Sequence, residues 1–429
     1  MIGVGIIGLG TVGTGTYRIL TEHKSLIKEK TGLDINIVRI AEINSRNVKG
    51  KHIAGSLITG DALEILNDAR IDIVVELIGG IRPAYDYIVQ ALKQKKWVVT
   101  ANKALLAERG DKLFQIAGQN QSEIGFEASV CGGIPVIRAI RDGLIGNRIT
   151  YMLGILNGTS NYILTKMTDD GVSFRDALSN AQQLGFAEKD PTFDIEGIDA
   201  AHKLSILVRL AFSYPIRMAD VVKGGISRIE PIDIDSAKEF GYRIKLLAVA
   251  KDENGLIEAR VEPAMLPLTH PMSNVHGVYN AVYVVGDKVG PNLFYGRGAG
   301  SDPTGSAVVS DIIDMAHRIK GKNNFVRLPV YAGGKKMKRG GESSVPYYMR
   351  FTAQDRPGVL SKISGILAQH KISISAVTQK GRKETGYVPI VMLTHEAVES
   401  DLKKAAAVID RLPFIRKGSV YIRIEEGGL

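Results

Sequence analysis

The chain has 429 residues, 45% of them hydrophobic and 23% charged, which is typical of a globular protein with two or three domains. The net charge of +10 comes without a basic block interleaved with aromatic residues, so we expect no nucleic-acid partner. The single cysteine, Cys131, excludes an intramolecular disulfide, and no apolar run is long enough for a membrane span. We therefore expect a cytoplasmic protein without a membrane partner.

The first third of the chain alternates strand-like and helix-like segments. Strands are predicted at 2–7, 35–41, 71–77 and 97–101, and helices at 11–30 and 83–94. This alternation predicts a Rossmann-type parallel sheet with helices on both faces. We assign residues 1–134 to this domain, together with a helix-forming segment at about 303–325 that packs back on it.

The middle of the chain mixes helices and strands and predicts an α+β substrate-binding and oligomerisation domain at 135–302. Its helices are predicted at 173–184 and 199–212, and its strands at 149–156 and 278–285. A glycine-rich polar linker at 333–346 follows. Residues 347–429 then show the order β-α-β-β-α-β, which is the ferredoxin-like pattern.

A glycine-rich motif follows the first predicted strand and opens the first helix. It reads Gly8-Leu9-Gly10-Thr11-Val12-Gly13 and fits G-x-G-x-x-G in the context that dinucleotide binding requires. Gly8 permits the tight turn, Gly10 lets a pyrophosphate approach the backbone, and Gly13 lets the helix pack on the strand. The alternative is a glycine-rich turn that binds nothing.

The end of the second strand bears on the choice between NAD and NADP. Glu42 could accept hydrogen bonds from the ribose hydroxyls of NAD, whereas Ser45, Arg46 and Lys49 could surround a 2′-phosphate. We favour NADP(H), with NAD(H) as the alternative cofactor.

Two polar turns follow strands of the first and middle domains. Thr100-Ala101-Asn102-Lys103 should lie at the carboxyl edge of the parallel sheet, where Lys103 could contact a ligand or Asn102 could simply cap a helix. The turn Asn157-Gly158-Thr159 could hold a substrate amino acid or cap the next helix.

An acidic segment ends on a lysine. Residues Glu188, Asp194 and Asp199 precede Lys203, which lies four residues after Asp199 on one face of a predicted helix. A carboxylate beside an ammonium can keep it charged or take part in proton transfer to a substrate. A lone pair of this kind would be an ordinary salt bridge, but the convergence of several acids predicts a binding or catalytic site.

These motifs resemble those of homoserine dehydrogenases that carry a C-terminal ACT domain, and the resemblance covers essentially the whole chain. It rests on the spacing from Ala181 to Lys203, on the first-strand glycines, on 100–103 and 298–300, and on Asp355-Arg356-Pro357-Gly358-Val359-Leu360 in the last domain. It implies the reversible NAD(P)-linked interconversion of L-homoserine and L-aspartate 4-semialdehyde, a step towards threonine and methionine.

The resemblance also implies roles for individual residues. Lys203 is the expected proton donor or acceptor, and Lys103 is expected to contact cofactor and substrate. Glu188, Asp194 and Asp199, with the 157–159 turn, are expected to bind homoserine. Gly185 and Gly300 are added to the cofactor contacts. A monovalent cation (Na⁺ or K⁺) is implied near Glu127 and the backbone of Val130, Gly132 and Ile134.

The ACT domain implies an amino-acid effector, for which threonine is the natural choice, and a homodimer or homotetramer. Three other functions remain open. Another ACT-regulated dehydrogenase, of the phosphoglycerate or prephenate type, would need an acid-paired histidine, and a semialdehyde dehydrogenase would need Cys131 as nucleophile. A dinucleotide-binding sensor without turnover would not need both lysines.

Overall fold

The computed structural model describes residues 1–49, 53–321, 333–379 and 386–427. The chain divides into two compact units. The first unit comprises Met1–Gly158, Asp199–Val221 and Val278–Gly334; the second comprises Thr159–Ile198, Val222–Gly277 and Lys335–Leu429. The sequence-based division at 134, 302 and 346 stays a prediction, and the end of its 303–325 segment lies outside the described residues.

The strands of the described residues are given in chain order. They are β1 (Ile2–Ile7), β2 (Ile35–Ala41), β3 (Ile58–Thr59), β4 (Ile73–Glu76), β5 (Trp97–Thr100), β6 (Ile124–Gly125), β7 (Ile149–Ile155), β8 (Val222–Lys223), β9 (Tyr242–Glu253), β10 (Leu256–Pro267), β11 (Tyr279–Gly286), β12 (Gly290–Arg297), β13 (Lys336–Met337), β14 (Ser344–Val345), β15 (Tyr347–Gln354), β16 (Ile374–Gln379), β17 (Tyr387–Thr394), β18 (Ala397–Val398) and β19 (Ile415–Ile424).

The α-helices of the described residues follow the same order. They are α1 (Thr11–Glu22), α2 (Lys24–Thr31), α3 (Ala62–Asn67), α4 (Ala84–Lys93), α5 (Lys103–Gln119), α6 (Val136–Arg138), α7 (Gly158–Asp170), α8 (Phe174–Gln183), α9 (Thr192–Ile195), α10 (Ile198–Phe212), α11 (Pro231–Glu239), α12 (Ser301–Lys320), α13 (Val359–Gln369) and α14 (Glu399–Ile409).

The first unit is built around a parallel sheet of order β3-β2-β1-β4-β5-β6. Strand β1 is buried along its whole length, as its unbroken apolar sequence IGVGII predicts for a strand covered on both faces. The strand order reverses between β1 and β4, so their carboxyl ends flank the crevice where ligands of such sheets bind. The predicted Rossmann-type architecture is confirmed.

Helices cover both faces of this sheet. Helices α1 and α12 share one hydrophobic core with it, while α3, α4 and α5 contribute to the core on the opposite face. The pairing of α1 with α12 is close because a Cβ on Gly15 would lie 2.1 Å from the carbonyl oxygen of Ser301. The predicted helix at 11–30 is in fact two helices, α1 and α2, separated at His23.

An antiparallel sheet of order β12-β11-β7 and the buried helix α10 complete the first unit. Helix α10 is apolar around most of its circumference, and its side chains from Asp199 to Arg209 are buried. Charged residues on such a helix need partners inside the protein. Arg209, for example, donates to the carbonyl oxygens of Leu106, Ala107 and Ile216.

The second unit contains strands in the order β9-β10-β19-β15-β17-β16. Strands β15 to β19 with α13 and α14 form the predicted ferredoxin-like arrangement around their own hydrophobic core. Strands β9 and β10 form a long hairpin that the sequence analysis did not identify. Its signal was the pair Asn254-Gly255, whose left-handed backbone angles (φ 55° and 91°) suit a tight hairpin turn.

The predicted linker at 333–346 is more ordered than its composition suggested. It contributes β13, which pairs with β10, and β14, which pairs with β18. Lys335 also forms an ion pair with Asp252 at 2.7 Å, so its charge has a partner in the fold.

Candidate active site

The glycine-rich loop joins β1 to α1 at the point where the sheet order reverses. Gly8 has φ +100°, and a Cβ there would lie 2.9 Å from the carbonyl oxygen of Leu77. A Cβ on Gly13 would lie 2.1 Å from the carbonyl oxygen of Gly8, whereas Gly10, the N-cap of α1, has open space around it. Each glycine thus has the geometry that the sequence assigned to it, and the open N-terminus of α1 suits an anionic group.

A cleft of about 340 Å³ extends from this loop over the carboxyl edge of the sheet. It is lined by Ile7 and Gly8 from the end of β1, by Ala41 and Glu42 from the end of β2, and by residues that include Ile78. Its position at the switch point and its size fit the adenosine end of a dinucleotide.

Glu42 is tied to the glycine-rich loop. Its carboxylate accepts hydrogen bonds from the backbone amides of Leu9 and Asn44, both at 2.7 Å, and from Asn47 Nδ2 at 3.1 Å. Burial opposes ionisation, but these hydrogen bonds outweigh it and lower the pKa of Glu42. Arg46 lies on the 3₁₀ turn Ser45–Asn47 that follows, with its side chain exposed.

Helix α12 begins beside the same loop. Gly300 is its N-cap and adopts φ +120°, a conformation that favours glycine. The hydroxyl of Ser301 donates to the carbonyl oxygen of Thr11 at 2.8 Å, and Asp302 forms an ion pair with Arg18. The structure therefore places Gly300 near the amino terminus of α1, next to the predicted cofactor loop.

The lysine centre brings together residues that are far apart in sequence. Asp199, in the first turn of α10, pairs through Oδ2 with Lys203 Nζ at 2.7 Å and through Oδ1 with Lys103 Nζ at 2.6 Å. The side chains of Asp199 and Lys203 are 4% and 10% exposed, whereas that of Lys103 is 37% exposed. One buried carboxylate thus holds two ammonium groups, one inside the protein and one at its surface.

Electrostatics keeps this carboxylate ionised. Burial alone would raise the pKa of Asp199, but the attraction of Lys203 and Lys103 prevails and the pKa lies well below its usual range. The ionised Asp199 therefore attracts both ammonium groups. The arrangement can therefore present a proton donor beside a fixed negative charge.

Polar groups from neighbouring strands hold the lysine centre in place. Lys203 Nζ also donates to the carbonyl oxygen of Leu156 at 2.6 Å, and Asn157 Nδ2 donates to Asp199 Oδ2 at 2.9 Å. Asn280 Nδ2 donates to the same Leu156 carbonyl at 3.1 Å. Of the 157–159 turn, Asn157 therefore contacts the centre directly, while Gly158 packs against the Val278 carbonyl, which a Cβ would approach to 2.7 Å.

A buried network fixes the start of α5, which carries Lys103. Asn102 caps the helix by accepting from the Leu105 amide at 3.1 Å, and its own amide donates to the Gly80 carbonyl at 2.6 Å. Thr100 donates to the buried Glu76 at 2.7 Å. The two interpretations of this turn are compatible, because the cap by Asn102 orients the first residue of the helix, Lys103, towards Asp199.

Cys131 lies in the interior and is fully buried. Burial raises the pKa of its thiol to about 11, despite the nearby Lys203 and a hydrogen bond with Asn280. A thiol of this kind is not the thiolate that a semialdehyde dehydrogenase needs as its nucleophile.

The segment implied in cation binding is buried in the first unit. The carboxylate of Glu127 accepts from the backbone amides of Ile137 and Arg138, each at 2.8 Å, and Asp311 accepts from the Glu127 amide at 2.8 Å. Burial and repulsion by Asp311 raise the pKa of Glu127 to about 7, and burial raises that of Asp311 to about 6.

The backbone around this pair is partly engaged. The Ile134 carbonyl accepts from the Val136 amide at 2.8 Å, and Gly132 has φ +47° and a position where a Cβ would lie 2.6 Å from the Gly298 carbonyl oxygen. Val130 ends the 3₁₀ turn Glu127–Ser129.

The remaining predicted site residues lie in the second unit. Gly185, two residues after the end of α8, has φ +74°. Thr159 donates to the Phe186 carbonyl at 2.6 Å, and the Asp194 carbonyl accepts from Ser160 at 2.8 Å. The carboxylate of Glu188 is exposed. These contacts order the acidic segment, and they leave the Glu188 side chain at the surface, where a ligand can reach it.

Sequence reasoning missed three polar residues of the first unit. Glu76 is buried at the end of β4, Asn280 lies on β11, and Arg209 anchors α10 to α5. Glu76 could have been found as a charged residue ending an apolar strand. Asn280 and Arg209 carry no local signal, because their importance depends on which distant backbone groups they meet.

Comparison with known proteins agrees with this geometry. Family models match the chain over three segments: homoserine dehydrogenase, NAD binding domain, over residues 8–127; homoserine dehydrogenase over 135–313; and ACT domain over 347–414. No helix among the described residues has both the length and the apolar character needed to cross a bilayer.

Whole-length relatives are similar along nearly the entire chain. A homoserine dehydrogenase of Neisseria gonorrhoeae is 41% identical over 430 residues, covering 99% of this chain and 98% of the relative. The crystal structure of a homoserine dehydrogenase from Thiobacillus denitrificans superposes with a TM-score of 0.93 at 44% identity, covering 99% and 98% of the two chains.

A second similar structure was determined with a cofactor. It is a hyperthermophilic archaeal homoserine dehydrogenase in complex with NADPH, with a TM-score of 0.63 and 26% identity over 74% of this chain and 98% of that one. The matched segments span the dinucleotide sheet, the lysine centre and the ferredoxin-like module. The chain therefore belongs to the homoserine dehydrogenase family, whose members are oxidoreductases, and carries an ACT domain at its carboxyl end.

Proposed function

We propose that the chain interconverts L-homoserine and L-aspartate 4-semialdehyde with a nicotinamide dinucleotide, on the route to threonine and methionine. The observation that carries the proposal is the Lys103–Asp199–Lys203 centre, in which one ionised carboxylate holds two ammonium groups. Reduction of an aldehyde develops negative charge on oxygen, and a protonated lysine both stabilises that charge and supplies the proton.

The roles divide between the two lysines. Lys203, buried and doubly anchored by Asp199 and the Leu156 carbonyl, acts as the proton donor in reduction and the acceptor in oxidation. Lys103, which is more exposed, contacts substrate and cofactor. Glu188, Asp194 and Asp199 bind the ammonium and hydroxyl groups of homoserine, with the 157–159 turn. The bound cofactor supplies or accepts the hydride.

Turnover of the Lys203→Ala variant tests the proposal. We expect turnover with NADPH and aspartate 4-semialdehyde to fall by about two to four orders of magnitude, while the dissociation constant for the cofactor changes little. Lys166→Ala is the matched control, because Lys166 also pairs with an aspartate four residues away, Asp170 at 2.9 Å, but at the surface. Near-normal turnover in Lys203→Ala would remove this lysine from the mechanism.

For the cofactor, we propose NADP(H) as the preferred form and NAD(H) as a slower alternative. The glycine loop with its open N-terminus at Gly10 fits a pyrophosphate, and Gly300 at the start of α12 lies beside it. Arg46 is exposed just beyond Glu42 and can pair with a 2′-phosphate, whereas the ionised Glu42 opposes such a group and suits a free ribose hydroxyl.

The Arg46→Ala variant tests whether Arg46 contributes to the preference for NADP(H). Losing one charge-assisted contact should lower the ratio of kcat/KM for NADPH over NADH by about tenfold, a change of about 1.4 kcal/mol. Lys30→Ala, which removes an exposed cation of α2 outside this segment, is the control. An unchanged ratio in Arg46→Ala would show that Arg46 does not contact the 2′-phosphate of the cofactor.

We also propose that Na⁺ or K⁺ binds near Glu127. The residues fit a cation because Glu127 and Asp311 are both buried carboxylates, and burial together with repulsion by Asp311 raises the pKa of Glu127. Arg138 and Arg141 supply part of the positive charge that Asp311 attracts. The side chain of Glu127 would hold the ion with backbone oxygens of Val130, Gly132 and Ile134. Replacing K⁺ and Na⁺ by choline should lower the midpoint of thermal unfolding at pH 8, and a midpoint independent of the salt would contradict this assignment.

For regulation and assembly, we propose an amino-acid effector, threonine first, and a homodimer or homotetramer. Strand β12 ends the antiparallel sheet of the first unit and exposes Leu293 and Tyr295 on alternate positions, and β16 ends the sheet of the ACT module. Exposed sheet edges of this kind pair readily with another chain. Light scattering after size-exclusion chromatography measures the assembly, and a monomer at micromolar concentration would oppose it.

A further inference from the structure

The second unit contains a cleft that none of the predicted site residues lines. Its volume is about 390 Å³, within the range of small-molecule sites. The walls come from β8 and the loop that follows it, from β10, and from strands β15 and β19 and helix α14 of the ACT module. It lies apart from the Asp355–Leu360 turn, which contributes no lining residue.

The lining of this cleft is densely charged. Five basic residues (Lys223, Arg228, Arg260, Lys403 and Arg423) and three acidic residues (Glu196, Glu262 and Glu399) line it. Two further carboxylates, Glu258 and Glu425, contact the buried arginines at 2.9 Å and 2.5 Å. Lys251 in turn pairs with Glu425 at 3.2 Å, so acidic and basic groups in and around the cleft are mixed and close to balanced in number.

Some of these charged groups are buried in ion pairs, and others are accessible to a ligand. Arg260 and Arg423 are buried and bonded to the carboxylates around them. Arg228 is exposed at the rim and forms no ion pair with another residue in the described part of the chain. Lys403 pairs with Glu399 but is 46% exposed, and Glu262 is 21% exposed. Cationic and anionic groups are therefore both accessible at the rim.

A buried hydroxyl supplies the second observation. Tyr347 is 2% exposed, and its hydroxyl has no hydrogen-bond partner among the described residues. The charged groups that act on it include Arg423, Glu399 and Arg260, all of which line the cleft. A buried hydroxyl without a partner costs about 1–3 kcal/mol, and a ligand in the cleft that bonds to this hydroxyl would recover that cost.

These features select the ligand chemistry. A simple anion such as phosphate would meet nearly balanced charge, whereas a zwitterion can satisfy both signs at once. A carboxylate suits the basic rim of Arg228 and Lys403 and the Tyr347 hydroxyl, and an ammonium suits Glu262. The cleft is large enough for an amino acid with a small polar or short aliphatic side chain.

We propose that this cleft, with β8 and β10 on one side and the ACT module on the other, binds a small α-amino acid. The inference deepens the proposed amino-acid regulation and rests on it for the class of effector. It assigns the site to the charged cleft rather than to the strand-to-helix turn Asp355–Leu360. A ligand here would contact β10 and the ACT module together, which gives it a direct means of altering their packing.

Binding to the full-length protein tests the proposal, with L-threonine, L-methionine and inorganic phosphate as titrants in calorimetry. We expect at least one amino acid to bind saturably and Tyr347→Phe to weaken that binding about tenfold or more. Because the hydroxyl lacks a protein partner, this variant should also unfold at the same temperature as the parent or a higher one.

The neighbouring tyrosine is the matched control. The Tyr348 hydroxyl donates to Asp233 at 2.8 Å, so Tyr348→Phe should lower the unfolding temperature and leave amino-acid binding unchanged. If phosphate binds and competes with the amino acid, the cleft recognises a simple anion, and the proposal of a zwitterionic ligand fails. Absence of amino-acid binding, or equal affinity in Tyr347→Phe, would overturn the proposal.

Parallel kinetics separate this inference from the proposed reaction. Tyr347→Phe should keep the parent's kcat when no amino acid is added, because the residue lies outside the lysine centre. If the parent binds an amino acid in the cleft but shows no turnover with homoserine, the proposed reaction fails and the cleft assignment stands.

Discussion

Replacing Asp199 by asparagine removes the charge that the two lysines share while keeping the size of the side chain. Asp199 Oδ1 and Oδ2 lie 2.6 Å and 2.7 Å from the Nζ atoms of Lys103 and Lys203. Without the carboxylate, two ammonium groups face each other around a neutral amide, and one of them is nearly buried.

The size of the effect follows from burial. Removing one partner of a buried ion pair costs about 3–5 kcal/mol. The exposure of Lys103 reduces its share, so we expect the free energy of unfolding to fall by about 3 kcal/mol or Lys203 to lose its proton instead. Either outcome weakens proton donation, and kcat for aldehyde reduction should fall by about 100-fold or more.

The pH dependence gives the sharper measurement. Reduction requires the charged lysine, so activity is lost as the pH rises through its titration. Without Asp199 the charged form is less stable, and the basic limb of the pH–rate profile should move to lower pH. Steady-state kinetics between about pH 6 and pH 10, the range in which a lysine with a lowered pKa titrates, would detect the shift.

A surface pair provides the control for this experiment. Asp170→Asn breaks the Lys166–Asp170 pair, which has the same spacing but is exposed, and should change neither kcat nor the pH profile. If Asp199→Asn kept kcat within threefold of the parent and left the basic limb in place, the shared carboxylate would not be controlling the proton, and the assigned mechanism would be refuted.

Three further predictions concern other parts of the chain. Gly305→Ala should lower the free energy of unfolding by about 1–3 kcal/mol, because its Cβ would lie 2.7 Å from the Gly15 backbone. Gly365→Ala in α13 is the comparison: its Cβ would meet no atom within 4 Å, so it should raise the free energy of unfolding by about 0.5 kcal/mol. Urea unfolding measures both changes. Burial and Asp311 raise the pKa of Glu127 from 4.5 to about 7 when no cation is bound, so in choline buffer without Na⁺ or K⁺ the folded protein binds the extra proton. Stability should then fall by about 2–3 kcal/mol as the pH rises from about 4.5 to about 7; Glu127→Gln should remove this contribution, and an unchanged slope would contradict it. Cys131→Ala should retain kcat within a few-fold, and iodoacetamide should not inactivate the native protein, because the Cys131 thiol is buried with a raised pKa. Inactivation by this reagent would support Cys131 as a nucleophile.

Local sequence determined much of this protein. The alternation of apolar strands and helices predicted the parallel sheet, and the spacing of Gly8, Gly10 and Gly13 predicted the loop that the structure forms. The order of elements after residue 347 predicted the ferredoxin-like module. The four-residue spacing of Asp199 and Lys203 placed them on one helical face, as observed. These features depend on periods of two or 3.6 residues and on backbone angles that few residue types adopt, so they can be read from neighbouring letters.

Other features depended on tertiary structure. Lys103 reaches Asp199 across 96 positions of sequence, and Asn280 reaches the Leu156 carbonyl across 124. Likewise, the raised pKa of Glu127 needs Asp311, 184 residues away, and the buried Tyr347 hydroxyl is defined by charges from three separate elements. Burial and Coulomb energy depend on distance in space, which no short-range pattern encodes. The sequence could therefore predict candidate active-site residues, but only the folded chain decides which of them form ion pairs with one another.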